Sequence, residues 1–476
     1  MKNSISKFII CLKLLVGVSF VTGQTLVPAT NNNIQYMGRI DFSNPQQPTY
    51  IYPGVSIKAK FNGTKIIAKI HDYGDGSDAR GNFYKIFIDG QIVIEQLKVS
   101  NGAFNYLLAS GLSASDHTVE VMKITEGASG KSSFKGFIIT GGTEALVSQD
   151  IASEKRIEFI GDSWTCGFGN LSQFSTGSAS MAFSNYFAKN EDNYYSWGAI
   201  TARTLGAQYH VTATSGRGLY RNNTGSMNNT LPKNYDNLFE DDPSVSWIHN
   251  NYRPDLISIH LGTNDLAQEE SGQAYKLDDE AFKQTYINFI ANLLSYHPCS
   301  NIIICFGNSK SDSWPTWTKQ LSRLRTIAND VMVNFNSNVT TLELPTTAEK
   351  WTGNPADDCG YGDAWHPSKC SHEEMATKLI QKINAMNINW GNTSCSLSSI
   401  KSISNKNINI YPNPVENQLT VNGIGLNTNW TIYNCMGQYK LKGVGNYIDV
   451  SSLAPGLYYF KAHKLSFTSS PLFIKE

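Results

Sequence analysis

The sequence has no excess of charge of either sign, since 39 lysines and arginines are balanced by 39 aspartates and glutamates. Proteins that bind nucleic acid concentrate positive charge to neutralise phosphates, so this balance argues against a nucleic-acid partner. Charged residues make up only 16% of the chain and aromatic residues 11%. This composition is typical of a folded extracellular protein and argues against a disordered one.

Long hydrophobic runs are also scarce. Beyond the N-terminus, no apolar run approaches the roughly 18 residues that a membrane-spanning helix needs, so we expect no membrane span in the mature chain. The apolar stretch near the start follows Lys2 and Lys7 and ends at the small residue Gly23. This order is typical of a cleaved signal peptide, predicted here over residues 1–23, although Lys13 interrupts the stretch.

Cysteine pairs with metal-binding spacing are missing. None of the eight cysteines forms a CxxC pair, which argues against a structural zinc site, and the sequence predicts neither a metal nor a cofactor. Because Cys11 lies in the predicted signal peptide, seven of the eight cysteines would remain, and at least one would be a free thiol. Cys359 and Cys370 bracket a short loop, a spacing compatible with a disulfide bond outside the cytoplasm.

The composition divides the rest of the chain into three regions. Residues 31–148 contain short alternating or β-branched runs closed by Gly, Asn or Asp, which predicts a β-sandwich (jelly-roll) domain of about eight strands. Residues 407–476 have strand-like runs again and follow a Ser/Asn-rich linker at 396–406. They predict a second, small β-sandwich.

The middle region, residues 153–392, alternates strands with helices. Its strand candidates are RIEFIGDS, AQYHVTATSG, PDLISIHLGTND, NIIICFGN and VTTLELPT. Amphipathic stretches such as DDEAFKQTYINFIANLLSYH separate them, and another follows Pro315, which is expected in the first turn of its helix. The pattern predicts an α/β domain with a flavodoxin-like parallel sheet covered on both faces. Ligands of such sheets bind at the carboxyl ends of the strands.

Ser163 follows the first of these strands, in GDSWTCGFGN. It could be a nucleophile or only the cap of the next helix, because serine and aspartate are preferred helix N-caps. A nucleophilic serine needs a base, and His366 in GDAWHPS is the candidate, with Asp363 close enough to place its carboxylate against Nδ1. Asn264 in HLGTND and Gly216 in TSGRG could donate to an oxyanion, although both segments are also ordinary turn sequences.

The other histidines are weaker candidates for catalysis. His210 and His260 lie in apolar strands, where a hydrogen-bonded core histidine is the expected reading. His249 and His297 are expected at the surface near the ends of segments. His372 is expected in the first turn of the helix that follows the candidate base.

The segments GDS, SG, GTND and DAWH occur along the chain in the same order as the motifs of the SGNH hydrolase superfamily, which this sequence therefore resembles. The longer segments GDSWTCGFGN, SGRGLYRN, LGTND and DAWHPS resemble those of carbohydrate esterase family 2. The resemblance implies that Ser163 is the nucleophile, His366 the general base and Asp363 the residue that orients it. The backbone N–H groups of Ser163 and Gly216 and the side chain of Asn264 would then form the oxyanion hole. In some members of the family a backbone carbonyl replaces the carboxylate.

The same resemblance implies an SGNH domain preceded by a β-sandwich, and a secreted serine esterase that removes O-acetyl groups from polysaccharides such as xylan and glucomannan. Trp365 would stack on a sugar of the acetylated polysaccharide, whereas Trp164 is expected to pack against the strand. The alternatives are an inactive carbohydrate-binding protein and a GDSL-type lipase acting on longer acyl esters.

The C-terminal segments YPNPVENQLTV and DVSSLAPGLYYFKA resemble the sorting domain of type IX secretion. This resemblance implies the type IX secretion machinery as a partner, with the protein secreted or attached to the cell surface.

Overall fold

Three regions of secondary structure follow one another in the computed structural model, which describes residues 24–143, 145–148, 152–172, 187–240, 242–335, 337–345, 359–391, 409–422, 428–434, 439–462 and 472–476. The predicted signal peptide (1–23) and the predicted linker (396–406) lie outside the described residues. Within these ranges, no helix combines the length and the apolar character needed to cross a membrane.

The N-terminal region consists of two antiparallel sheets packed face to face. Its strands are β1 Gln24–Pro28, β2 Ile34–Met37, β3 Ile40–Asp41, β4 Thr49–Tyr50, β5 Ser56–Asn62, β6 Lys65–Asp72, β7 Phe83–Ile88, β8 Gln91–Lys98, β9 Gly102–Ser110, β10 Asp116–Lys123, β11 Ser132–Thr140 and β12 Ala145–Val147. One sheet has the order β3-β4-β11-β6-β9 with β1 beside β11, and the other has the order β12-β5-β10-β7-β8 with β2 beside β5.

The alternating sequence explains this sandwich. Along β6, every second side chain is buried, including Ile66, Ala68 and Ile70, and these residues belong to the core between the sheets. The β-sandwich is therefore confirmed, but the expected number of about eight strands was too low. Several strands are only two to four residues long, and β1 begins before residue 31, where the sequence prediction placed the start of the domain.

The middle region contains a five-stranded parallel sheet of order β14-β13-β17-β18-β19. Its strands, and those of a separate short hairpin, are β13 Arg156–Gly161, β14 Gln208–Ala213, β15 Asn237–Phe239, β16 Asp242–Ser246, β17 Leu256–His260, β18 Asn301–Phe306 and β19 Val339–Glu343. All five predicted sheet strands are confirmed. Counting sheet strands along the chain, the order is 2-1-3-4-5, the flavodoxin-like arrangement, in which ligands bind at the carboxyl edge where the order reverses.

Helices cover both faces of this sheet. They are α1 Ser163–Cys166, α2 Trp197–Leu205, α3 Leu231–Asn234, α4 Thr263–Ala267, α5 Asp279–Tyr296, α6 Gln320–Met332 and α7 Lys369–Asn384. Successive side chains of β18 point to opposite faces, so Ile302 and Ile304 share a core with α5 and α6, whereas Ile303 and Cys305 share one with α2 and α7. This explains why the central strands are apolar on both faces.

Two helix starts differ from the sequence predictions. Helix α6 begins at Gln320, so Pro315 is not in its first turn; Lys319, the residue before the helix, has a φ of 49°, which is outside the helical region. Helix α7 begins at Lys369 rather than near Ser371, because the side chain of Ser368 accepts a hydrogen bond from the Ser371 N–H and caps the helix.

The N-terminal sandwich is joined to the α/β region by apolar and ionic contacts. Phe83, Met122 and Ile124 of the sandwich belong to the same core as α2 and α7. Two buried ion pairs cross the boundary: Arg39 Nη2 lies 3.0 Å from Glu158 Oε1, and Lys85 Nζ lies 3.0 Å from Asp192 Oδ2. We call this contact zone the interdomain interface.

The C-terminal region forms a small sandwich. Its strands are β20 Asn409–Tyr411, β21 Gln418–Asn422, β22 Asn429–Asn434, β23 Tyr439–Val444, β24 Tyr447–Asp449, β25 Gly456–Ala462 and β26 Leu472–Lys475. They make two antiparallel sheets, β20-β21-β24 and β23-β22-β25-β26. Val421, Ile432 and Phe460 are buried between them, which confirms the predicted small β-sandwich.

Candidate active site

Ser163 is the first residue of α1, and only Asp162 separates it from the carboxyl end of β13. The helix is capped by Asp162, whose side chain accepts a hydrogen bond from the Trp164 N–H at 3.1 Å. The capping function suggested for Ser163 is therefore performed by its neighbour, and the serine hydroxyl is available for other contacts. Trp164 is buried beside the strand, as the sequence predicts.

His366 contacts this hydroxyl although 203 residues separate the two in the sequence. Its Nε2 lies 2.7 Å from Ser163 Oγ, a distance at which imidazole can accept the hydroxyl proton. Both side chains are buried, with Ser163 exposed by 5% and His366 by 8%. The structure thus brings the predicted nucleophile and the predicted base into direct contact.

Asp363 also lies at the imidazole, but through a different atom from the one expected. The Asp363 main-chain oxygen is 3.2 Å from His366 Nδ1, whereas the sequence predicted a contact from the carboxylate. The reason is a tight turn, in which the His366 N–H donates to the same main-chain oxygen at 2.9 Å. This places the carbonyl of residue 363, which begins a 3-10 turn over Asp363–Trp365, on the imidazole side.

The turn that carries the base is fixed at both ends. The Gly362 N–H donates to the His366 main-chain oxygen at 2.7 Å, and the Asp363 N–H donates to Gly169 O at 2.9 Å. A disulfide between Cys359 and Cys370 closes the loop, which confirms that expectation. The base is therefore held by backbone hydrogen bonds and a covalent link rather than by its side chain alone.

Aromatic rings and a neutral histidine surround the base. The Phe168 ring centroid lies 4.4 Å from that of His366, and the Trp164 centroid lies 6.0 Å away. His372 is buried in α7, and burial lowers the pKa of its imidazole to about 3. Its Nδ1 accepts the Trp197 N–H, so His372 is a neutral structural residue, and it lies in the first turn of α7, as the sequence predicts.

Gly216 presents an N–H group at the end of β14. Its φ is 77°, which a glycine adopts without steric cost. The N–H groups of residues 215 and 217–222 all have acceptors, whereas within the described ranges that of Gly216 has none. Among those ranges the Ser163 N–H also lacks a protein acceptor. These two main-chain groups are the ones that the family resemblance assigns to the oxyanion hole.

Asn264 lies in the first turn of α4, at the end of β17. Its Nδ2 donates to Asp162 Oδ2 at 3.1 Å and to Arg217 O at 2.8 Å. Asn264 thus links the segment that carries Ser163 to the segment that carries Gly216. Since both amide hydrogens have protein acceptors here, donation to an oxyanion requires one of these bonds to be shared or exchanged.

Trp365 is next to the base and points to solvent, with half of its surface exposed. Its φ is 64°, a backbone conformation that costs a bulky residue on the order of 1–3 kcal/mol. The Tyr361 ring packs against it edge to face, with the centroids 5.4 Å apart. Two aromatic rings therefore stand beside the contact between Ser163 and His366.

The remaining histidines divide differently from the prediction. His210 is a core residue as expected: its ring stacks on Tyr252 with centroids 3.5 Å apart, and burial lowers its pKa to about 3. His297 was expected at the surface, but it is buried, and burial lowers its pKa to about 4. It stands one residue after the end of α5, where the chain turns back towards β18 and packs beside His249.

Sequence reasoning missed Glu126, which reaches this site from the N-terminal sandwich. Its Oε2 accepts the Ser215 N–H at 2.7 Å, next to the Gly216 N–H. The segment KITEG ends a predicted strand, and nothing in a one-dimensional pattern relates it to Ser215, which is 89 residues away.

Three families of known sequence match the three regions. Residues 36–148 match "Carbohydrate esterase 2 N-terminal", residues 157–379 match "GDSL-like Lipase/Acylhydrolase", and residues 409–475 match "Secretion system C-terminal sorting domain". The last match places the protein among those that are secreted or attached to the cell surface and agrees with the predicted type IX sorting domain.

Individual relatives agree with these matches. "Cellulase/esterase CelE" of Acetivibrio thermocellus is 29% identical over 357 residues, which are 74% of this chain and 39% of that protein. "Acetylxylan esterase / glucomannan deacetylase" of Cellvibrio japonicus is 25% identical over 403 residues, or 80% of this chain and 100% of that protein.

A solved structure gives the same result. A family two carbohydrate esterase from Clostridium thermocellum, in complex with cellohexaose, superposes with a TM-score of 0.63 and 30% sequence identity. The match covers 74% of this chain and 98% of that one. On this identity and coverage, the chain belongs to carbohydrate esterase family 2, a family of carboxylic ester hydrolases.

Proposed function

We propose that the protein is a secreted serine esterase that removes O-acetyl groups from plant polysaccharides such as xylan and glucomannan. The observation that carries the proposal is the 2.7 Å contact between His366 Nε2 and Ser163 Oγ, because it pairs a weak nucleophile with the base that it requires.

In the first half of the reaction, Ser163 Oγ attacks the carbonyl carbon of the acetyl ester, and its proton passes to His366 Nε2. The tetrahedral intermediate then collapses, the bond to the sugar oxygen breaks, and His366 returns the proton to that oxygen. The products are a free sugar hydroxyl and an acetyl group on Ser163. Asp363 contributes through its main-chain oxygen, 3.2 Å from Nδ1, which favours the tautomer with the proton on Nδ1 and leaves Nε2 as acceptor.

In the second half, water replaces the sugar. His366 Nε2 accepts a proton from the water as its oxygen attacks the acetyl carbonyl, and collapse of the second intermediate expels Ser163 Oγ, which takes the proton back. Acetate leaves. The Phe168 and Trp164 rings beside His366 limit bulk water around the imidazole, which strengthens the electrostatic interactions within the site.

The oxyanion of both intermediates would be met by the N–H groups of Ser163 and Gly216, which are preorganised donors at two adjacent strand ends. Asn264 would join them through a shared amide hydrogen, because its Nδ2 already donates to Asp162 and Arg217. A preorganised donor of this kind contributes about 10²–10³ in rate.

The sugar would lie against Trp365, whose exposed ring stands next to His366. Stacking on a flat aromatic face suits a pyranose ring, and the relatives named for acetylxylan and glucomannan support this class of polymer as the substrate.

The three regions would have separate tasks. We assign the N-terminal sandwich to residues 24–148, which extends the sequence prediction of 31–148 to include β1, the esterase domain to 153–392 and the sorting domain to 407–476, joined through a linker at 396–406. The sorting domain would engage the type IX secretion machinery after removal of a signal peptide at 1–23, and it would have no part in catalysis.

The mechanism is tested by Ser163→Ala. Removal of the nucleophile is expected to lower kcat/KM for 4-nitrophenyl acetate by at least about 10⁴-fold, with an unchanged thermal unfolding temperature. Ser113→Ala, an exposed serine on the sandwich, is the matched control and keeps wild-type activity. Retained hydrolysis by Ser163→Ala would exclude this serine as the nucleophile.

The substrate is tested by acetate release from acetylated xylan, glucomannan and pectin, with NMR to identify the deacetylated position. Faster turnover of octanoyl than of acetyl esters would favour a lipase instead. A wild-type protein that is not labelled by a fluorophosphonate and binds polysaccharide without releasing acetate would indicate an inactive binding protein.

A further inference from the structure

We propose that Glu126 of the N-terminal sandwich is a positioning residue for the oxyanion hole, holding the main chain that carries the Gly216 N–H. This inference rests on the proposed esterase function and adds to it that the sandwich completes the catalytic apparatus. Glu126 does not touch the reacting atoms. It would act through Ser215, the residue that precedes Gly216.

Glu126 is fixed within the interdomain interface and is fully buried. Its main-chain N–H donates to Glu191 Oε1 at 2.7 Å, and its main-chain oxygen accepts from Lys123 Nζ at 3.1 Å. Its Oε2 accepts the Ser215 N–H at 2.7 Å and lies 3.7 Å from Cys166 Sγ. A carboxylate that is anchored at its own backbone and shielded from water makes a short, directional bond to an N–H group.

The segment 215–222 carries the Gly216 N–H, and apart from Ser215 it is held by residues of the esterase domain itself. Asp265 accepts the N–H groups of three successive residues, at 2.9 Å from Leu219, 2.6 Å from Tyr220 and 2.9 Å from Arg221. Asn264 holds the Arg217 carbonyl. The Ser215 N–H is the one main-chain donor of this segment for which the described residues show an acceptor in another domain.

The hydrogen bond from Ser215 to Glu126 matters because Ser215 directly precedes Gly216 in the chain. The Gly216 N–H belongs to the peptide unit between Ser215 and Gly216, so its direction depends on rotation at these two residues. Gly216 has a φ of 77° and no side chain to restrict it, so the unit has other accessible orientations. Anchoring Ser215 through Glu126 removes these alternatives before substrate binds, which is the preorganisation that an oxyanion hole requires.

The inference is tested with two variants of similar shape. Glu126→Gln keeps an oxygen that can accept the Ser215 N–H, whereas Glu126→Met fills nearly the same volume and offers no comparable acceptor. Both replace a negative charge that lies beside Glu191, a carboxyl whose pKa is raised by burial and then by Glu126, so neither should prevent folding. Lys131→Ala is the control, since it removes an exposed ion pair to Asp242 across the same interface.

Glu126→Met is expected to lower kcat on 4-nitrophenyl acetate by about 10- to 100-fold, less than the loss of a complete oxyanion donor. KM should change by less than about threefold, because the lost interaction acts in the transition state. Affinity for a tetrahedral boronate inhibitor should fall by the same factor as kcat/KM. Glu126→Gln should recover kcat to within about fivefold of wild type, and Lys131→Ala should match wild type.

Three outcomes would overturn the inference: wild-type kcat in Glu126→Met, equal losses in the Gln and Met variants, or a loss of kcat without weaker boronate binding. Each of these is measured against an active wild-type protein. An inactive wild-type protein that no fluorophosphonate labels would instead refute the proposed function, so the two failures are distinguishable.

Discussion

The two β-sandwiches of this protein differ in how they relate to the α/β domain between them. The N-terminal sandwich contributes Phe83, Met122 and Ile124 to the core of that domain and exchanges buried ion pairs with it. The core of the C-terminal sandwich, in the part that the structure describes, contains only residues from its own region, such as Ile432 and Phe460. Two sandwiches of similar architecture therefore differ in their described cores, since that of the N-terminal sandwich merges with the α/β domain and that of the C-terminal sandwich is its own.

The buried ion pairs also make the stability of the α/β domain depend on the N-terminal sandwich. Burial is the largest single influence on the pKa of Glu158 and raises it, but the charge of Arg39, together with smaller contributions such as the hydrogen bond from Thr212, outweighs burial, and the pKa falls to about 2. A buried pair of this kind adds little net stability compared with an apolar pair, yet breaking it is costly because a charge is left without a partner. Each of these buried charges has its partner in the other domain, so loss of either domain would leave a charge without its partner.

The largest predicted effect on stability follows from breaking this pair. Arg39→Met leaves Glu158 buried without its cation and also removes the bond from Arg39 Nη1 to Tyr235 O. We expect the free energy of unfolding to fall by about 3–5 kcal/mol, measured by urea denaturation. Arg325→Met is the control, because its pair with Glu343 is exposed and should contribute no more than about 1 kcal/mol. Equal losses of stability in the two variants would show that the buried pair of Arg39 and Glu158 contributes no more than an exposed ion pair.

The second prediction is that the α/β domain loses stability at acidic pH. Burial lowers the pKa of His210 and His372 to about 3 and that of His297 to about 4. Unfolded histidines titrate near 6.5, so the unfolded chain binds more protons than the folded chain between pH 6.5 and 4. The contribution of these histidines to the free energy of unfolding is therefore fully present above about pH 6.5. It is lost as the pH falls, by about 1.4 kcal/mol per pH unit for each proton.

Urea denaturation at pH 7.0 and 5.5 measures this loss. His210→Phe keeps an aromatic ring against Tyr252 and removes one of the three titrations, so its stability should depend less steeply on pH. An unchanged slope would mean that His210 is not protonated on unfolding in this range.

The smallest predicted effect concerns the C-terminal sandwich. A chain that ends at residue 406, the end of the predicted linker, should keep kcat/KM on 4-nitrophenyl acetate within about twofold of the full chain, a change of under about 0.5 kcal/mol, because the described core of the C-terminal sandwich shares no residue with the cores of the α/β domain. Thermal unfolding of the remaining unit should also be unchanged. A larger loss would contradict the distinction drawn between the two sandwiches.

Most of the site could be predicted because its parts are local. Ser163, Gly216 and Asn264 each follow an apolar strand, and the carboxyl ends of parallel strands meet at one edge of the sheet. The three central strands were predictable from local sequence too, since β13, β17 and β18 are near-continuous apolar runs. His366 could be recognised from its own segment, although only the fold places it at Ser163.

The rest depends on contacts that a linear pattern does not encode. The contact between Glu126 and Ser215 joins two domains, and the burial of His297 depends on how the chain turns after α5. The orientation of Asp363 was decided by a backbone turn, in which the carbonyl and not the carboxylate faces the imidazole. The start of α6 was set by the left-handed backbone at Lys319, which no helix signal in the sequence reports.

The disulfide between Cys359 and Cys370 encloses His366 and thereby links the assembly of the site to the route of the protein. Thiols stay reduced in the cytoplasm and pair in oxidising compartments. The segment that carries the base is therefore covalently closed only once the chain has left the cytoplasm. Export therefore also completes the covalent structure of the enzyme, which acquires its final form outside the compartment where it is made.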